Sequence, residues 1–173
     1  MIVTIDGPGG AGKSTVARRL ADSLGYRYLD TGAMYRGIAF AYEAAGTNDL
    51  GRFLSGLRLS FLFEKTTRVF LDGEDISNRI RTPEISLLAS SLSQDRMVRA
   101  YLTEKQREVG QRGGIVVEGR DTGSVVFPHA DVKFYLDADI HERARRRFLE
   151  MAGKEPRADL EKVREEIEKR DRD

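Results

Sequence analysis

The sequence predicts an α/β fold of three layers, with a parallel central sheet between helices. Short apolar runs alternate with stretches of helical periodicity, the pattern that builds a parallel sheet covered on both faces. A glycine-rich turn joins the first apolar run to the first helical stretch. The chain has 173 residues, 40% hydrophobic and 33% charged, which suits about one domain with a core that needs no staple.

Taken in order, Ile2 to Ile5 reads as a short buried strand. Lys13 to Leu24 carries Val16, Leu20 and Leu24 at helical spacing, and Gly25 is its stop. Tyr26 to Leu29 is a second strand, and Gly32 to Ala45 a helix ended by Gly46. The rhythm then breaks. Leu57 to Phe63 and Arg68 to Leu71 read as strands and Asp72-Gly73 as a tight turn, so Asn48 to Asn78 is expected to form a small antiparallel insert. Helices follow over Glu84 to Leu92, with Pro83 in the first turn, and over Met97 to Arg112. Ile115 to Val117 and Val132 to Leu136 complete the strands, and Ile140 to Ala152 and Leu160 to Lys169 the helices.

Composition excludes several classes. With no cysteine there is no disulfide, thiolate zinc site or Cys nucleophile, and two histidines leave little for a His-based metal site or triad. A net charge of +1 lacks the basic excess of a dedicated nucleic-acid binder. No apolar run reaches the roughly 18 residues a membrane span needs. Met1-Ile2-Val3-Thr4-Ile5-Asp6 has a strand pattern rather than that of a signal peptide, so the expected compartment is the cytoplasm.

One motif decides the chemistry. Gly7-Pro8-Gly9-Gly10-Ala11-Gly12-Lys13-Ser14 matches G-x-x-x-x-G-K-[ST], after a predicted strand and opening a predicted helix. Its glycines let backbone N–H groups turn inward on phosphate oxygens, and the helix N-terminus adds its dipole. Lys13 is placed to reach the β- and γ-phosphates of a nucleotide, and Ser14 to offer a hydroxyl to Mg²⁺, with Thr15 completing the nucleotide-binding run. The guanine-reading N-K-x-D is absent, and large motor ATPases need a longer chain. A short chain with this loop at residue 7 points to nucleotide and metabolite kinases.

Two polar clusters follow predicted strand ends, where open α/β sheets bind ligands. In Asp30-Thr31-Gly32-Ala33-Met34-Tyr35-Arg36, Arg36 could grip a phosphate, although alone it reads more readily as a solvated helix residue. In Glu118-Gly119-Arg120-Asp121-Thr122-Gly123, two acids flank an arginine, the groups needed to hold Mg²⁺, orient an acceptor and neutralise a transferring phosphoryl. The plain alternative is a polar turn with ion pairs. Arg143, Arg145, Arg146 and Arg147 crowd one predicted helix, where Arg143 and Arg147 share a face beside Arg146.

Residues 5–36 (IDGPGGAGKSTVARRLADSLGYRYLDTGAMYR), 74–86 (EDISNRIRTPEIS) and 116–147 (VVEGRDTGSVVFPHADVKFYLDADIHERARRR) closely resemble bacterial cytidylate kinases. The resemblance covers nearly the whole chain. It implies a P-loop nucleoside-monophosphate kinase fold, with a core over 1–47 and 79–173, an NMP-binding insert over 48–78 and a short lid at about 147–158. It also implies ATP as donor, CMP or dCMP as acceptor, Mg²⁺ and a monomer. On the matching positions, Thr31, Tyr35 and Arg36 correspond to acceptor-phosphate and sugar contacts, and Ser90 and Arg99 to positions that read cytosine. Asp121 supplies an acceptor for the cytosine amino group and Arg120 a grip on the acceptor phosphate, while Glu118 joins Ser14 at the metal. Arg143 and Arg147 are the first choices for lid arginines on the transferring group, and Arg170 matches an arginine aimed at the acceptor phosphate. Family members continue with a further strand and helix that this sequence does not contain. The alternatives are a P-loop kinase for UMP or a small metabolite such as shikimate, and a nucleotide binder without turnover. The density of arginine at strand ends argues against the last. No general base is required, because a phosphate acceptor ionises near neutral pH.

Overall fold

Four parallel strands form the centre: β1 (Ile2–Asp6), β2 (Arg27–Asp30), β6 (Ile115–Gly119) and β7 (Val132–Tyr135), in the order β2-β6-β1-β7. The computed structural model describes residues 1–152 and 159–172, and gives the backbone alone for Glu150, Met151, Ala152, Lys169, Arg170 and Arg172. Residues 153–158, half of the expected lid, lie outside the described residues, as does the side chain of Arg170.

Strand alternation assigns each residue to a face. Val3, Ile5, Tyr28 and Val116 bury against Ala17 and Ala21 of α1 (Lys13–Leu24). Leu29, Ile115 and Val117 look the other way, into a core with α2 (Thr31–Ala45), α4 (Pro83–Leu92) and α5 (Arg96–Gly110). Burial on both faces explains why β1 and β6, the inner strands, read as near-continuous apolar runs, whereas the edge strand β7 is largely exposed. Glu118 has the parity of Val116 and so faces α1, which places it in the phosphate-loop half of the molecule.

Caps set the helix boundaries. Asp30 accepts from Ala33 N at 2.9 Å and starts α2 one residue before the sequence expectation. Thr82 caps α4 ahead of Pro83, and Asp95 accepts from Met97 N and Val98 N at the start of α5. Gly25 and Gly46 close α1 and α2.

The middle segment holds a three-stranded antiparallel sheet of β3 (Leu59–Phe63), β4 (Thr67–Leu71) and β5 (Glu74–Asp75). The Asp72-Gly73 turn joins β4 to β5, with φ of 49° and 86°. The sequence reading placed no helix here, yet α3 (Leu50–Gly56) forms. Gly51 and Gly56 hide it from propensity, whereas the Asp49 cap and the packing of Leu50, Phe53 and Leu54 on the core select it. The small sheet is stitched to β2: Thr67 Oγ1 accepts from Asp30 N at 2.8 Å and donates to Tyr28 O at 3.1 Å. Helices α6 (Ile140–Ala152) and α7 (Leu160–Arg172) pack together beside the loop after β1. No helix among the described residues is long and apolar enough to cross a membrane.

Candidate functional site

The loop Gly7 to Gly12 leaves the carboxyl end of β1, between the ends of β6 and β7. Gly7, Gly10 and Gly12 have positive φ, and Gly12 starts α1 without a side-chain cap. Lys13 Nζ folds back across the loop and donates to Pro8 O at 2.7 Å. Among the described residues, Arg120, Arg143 and Arg146 border the loop. A β-carbon built on Gly9 would lie 3.3 Å from Arg120 Nη2, one on Gly10 3.2 Å from Arg143 Cβ, and one on Gly12 3.7 Å from Arg146 Nη1.

Arg143 is only 7% exposed. Its Nε donates to Ala138 O at 2.9 Å and its Nη1 to Gly9 O at 3.3 Å, which ties α6 to the loop main chain. Arg146 Nε donates to Glu142 at 2.8 Å. Sequence reasoning had ranked Arg147 above Arg146. Helical spacing says which arginines share a face, but only the docking of α6 says which of them border Gly12. Arg147 is half-buried on the same helix.

Behind the loop lies a buried polar knot. Glu118 Oε1 accepts from Ser14 Oγ at 2.8 Å and from Tyr28 OH at 2.7 Å. Its Oε2 is buried and has no hydrogen-bond partner among the described residues. Burial and the neighbouring Asp30 push the Glu118 carboxyl up from the ordinary range, and burial likewise pushes the Tyr28 hydroxyl up. A hydroxyl and an unsatisfied carboxylate oxygen side by side suit Mg²⁺, which keeps several waters and takes one or two protein groups plus substrate phosphates. No group of three or more His, Cys, Asp or Glu able to hold a metal occurs among the described residues.

The raised Glu118 value carries a stability prediction. The folded protein binds that proton more tightly than the unfolded chain. This contribution to stability is present below the ordinary value of about 4.3 and is lost as pH rises through the raised one. Glu118→Gln removes the charge, so its melting temperature relative to the wild type should be higher at neutral pH than near pH 4. A pH-independent offset would count against a buried charge at Glu118.

The second cluster lies at the ends of β2 and β6. Thr31 Oγ1 donates to Glu118 O at 2.8 Å and is buried. Arg36 pairs with Asp30 at 3.2 Å, and its Nε is buried without a hydrogen-bond partner among the described residues. Arg99 of α5 pairs with Asp121 and also donates to Ser93 O at 3.4 Å. That Asp121 bond holds the Arg99 guanidinium more firmly protonated. Tyr35 stands close enough that Arg99 and Asp121 act oppositely on its hydroxyl, which burial raises overall. Ser90 is half-buried on α4.

Asp6 was read only as a strand end, yet it organises this cluster. Its buried carboxylate accepts from Thr122 N at 2.9 Å, Thr122 Oγ1 at 2.7 Å and Gly123 N at 2.7 Å. These bonds hold the single π turn Thr122–Val126 and so fix the backbone that carries Arg120 and Asp121. The available signal was a carboxylate ending a mostly apolar strand, which must find buried donors.

The cytidylate kinase family model matches residues 3–173. This chain belongs to the cytidylate kinase family. Among relatives, the cytidylate kinase of Citrifermentans bemidjiense is 47% identical over 99% of this chain and 76% of that protein. Those of Caldanaerobacter subterraneus and Bacillus thuringiensis are 48% and 42% identical over 98% of this chain, covering 76% and 78% of theirs. A crystal structure titled TT1252 from Thermus thermophilus aligns at 22% identity over 99% of this chain and 78% of that one, with a TM-score of 0.49, a likeness too loose to add to the topology.

Proposed function

We propose that this protein transfers the γ-phosphoryl group of ATP to CMP or dCMP, producing ADP and CDP or dCDP. The observation that carries the reading is family membership over residues 3–173 in a chain whose phosphate loop is bordered by Arg120, Arg143 and Arg146. The loop from Gly7 to Thr15 cradles the ATP phosphates, with Lys13 swinging from Pro8 O onto the β- and γ-oxygens. Ser14 and Glu118 hold Mg²⁺, which when bound neutralises charge on the phosphates. Tyr28 keeps Glu118 Oε1 occupied, so Oε2 is the oxygen presented to the ion or its water.

Residues 48–78 serve as the acceptor-side insert on the core of 1–47 and 79–173, with the lid at about 147–158. Arg36 and Arg120 grip the acceptor phosphate beside Thr31 and Tyr35, with Arg170 joining from α7. The Arg99–Asp121 pair reads the base from two sides: the guanidinium donates to the pyrimidine carbonyl and ring nitrogen, and the carboxylate accepts from the amino group. Ser90 adds a hydroxyl on the α4 side. Arg143 and Arg147 stabilise the charge spread over the transferring group. Closing insert and lid excludes water and suppresses idle hydrolysis of ATP.

The test is coupled ADP release from ATP and Mg²⁺ with CMP, dCMP, UMP, AMP and shikimate offered in turn. Turnover confined to CMP and dCMP is expected. Turnover with shikimate or AMP instead would overturn the acceptor assignment. In the same panel, Arg99→Ala should lose about tenfold or more of the preference for CMP over UMP, the size of one charge-assisted base contact. Equal losses for both acceptors would remove Arg99 from base reading.

A further inference from the structure

Asp171, on α7, sits where the two arginines flanking Gly9 converge. Its Oδ1 accepts from Arg120 Nη1 at 3.1 Å, and its Oδ2 pairs with Arg143 Nη1, the nitrogen that also donates to Gly9 O at 3.3 Å. Arg120 comes from the turn after β6, Arg143 from α6 and Asp171 from α7. Three separate elements therefore meet beside one loop residue.

Each carboxylate oxygen takes one guanidinium, as the oxygens of a phosphate would. Arg143 has little alternative, because its Nε is committed to Ala138 O and its side chain is nearly enclosed. We propose that Asp171 is a built-in competitor for the phosphate subsite: it holds Arg120 and Arg143 in place without nucleotide and must be displaced when a phosphate group binds. This sets the affinity for phosphate-bearing ligands from α7, and it rests on the phosphate-loop reading of Gly7 to Ser14.

The physical argument is one of charge. A terminal phosphate carries more charge than a carboxylate and offers three oxygens, so it wins both arginines. The exchange nonetheless leaves Asp171 near the bound anion, and that repulsion weakens binding. Neutralising Asp171 removes both the competition and the repulsion. A merely structural ion pair behaves oppositely: its loss loosens the arginines and weakens the ligand.

The experiment measures binding of ADP, and separately of inorganic tripolyphosphate, by calorimetry without Mg²⁺ at fixed ionic strength. The wild type is compared with Asp171→Asn, Asp171→Ser and the charge-preserving Asp171→Glu. Asn and Ser should bind both ligands about tenfold tighter, as expected for removing one nearby like charge at partial screening, while Glu stays near the wild type. The free Asn and Ser proteins should melt no higher than the wild type, so the gain in affinity is not a gain in stability. Unchanged or weaker binding by the folded variants overturns the proposal. If either fails to fold, the other decides, and if both fail, tenfold weaker tripolyphosphate binding by Asp171→Glu also overturns it. Failure of the wild type to bind ADP at all would instead count against the phosphate-loop reading.

Discussion

Lys13→Ala is expected to lower kcat by about a hundredfold to a thousandfold, the cost of removing one preorganised charge from a developing phosphoryl transition state. Lys13 is the one lysine of the loop, and its ammonium lies against Pro8 O at 2.7 Å, across the curve that the phosphates would fill. A compact ammonium on a flexible stem can leave that carbonyl for a phosphate oxygen at little cost. Stability should fall by no more than about 1–3 kcal/mol, the range for a part-buried hydrogen bond from a charged donor. The check is a coupled assay beside a thermal melt. Retention of more than a tenth of the wild-type kcat would sink the catalytic role. A large fall in melting temperature together with activity would mark Lys13 as a strut of the loop instead.

Gly7→Ala should have the largest effect on the fold. Gly7 has φ of 147°, and a β-carbon there would stand 1.9 Å from Leu136 O. Leu136 cannot retreat freely, because its N–H donates to Asp6 O at 2.7 Å, directly before the loop. The clash is with backbone, so the loop itself must move, at a cost of roughly 2–4 kcal/mol from strain and lost hydrogen bonding. Nucleotide binding should fall with it. Gly25→Ala is the matched control: φ is 64° with nothing within 4 Å of the new carbon, so only the left-handed penalty of about 1 kcal/mol applies. Equal melting temperatures for the two variants would refute the clash.

Much of the core was legible from local pattern. The helix Lys13–Leu24 was readable to the residue, because apolar spacing and a terminal glycine mark it without outside help. Ile140–Ala152 was equally plain. The helix Leu50–Gly56 was not, since two glycines mask it and its apolar residues are helical only when a core lies beneath them. The site was legible wherever its chemistry is contiguous, as in Gly7 to Ser14. It was not legible where one side chain works through another. Tyr28 was read as strand filling, yet it donates to Glu118 across 90 positions of sequence. Asp6 stood only within a strand pattern and Asp171 drew no reading, yet each holds partners from distant segments.

The sequence by itself determined the phosphate loop, the alternation that makes a parallel sheet, and the inventory of arginines and carboxylates available for chemistry. Those are properties of neighbours along the chain, where spacing and residue type suffice. Only the tertiary structure decided which charges meet. The order β2-β6-β1-β7 puts Glu118 against both Ser14 and Tyr28. The docking of α6 and α7 brings Arg143 and Asp171 to Gly9, across 134 positions in the case of Arg143. Strand order and helix docking are fixed by burial summed over the whole core, and no local window of sequence contains that sum.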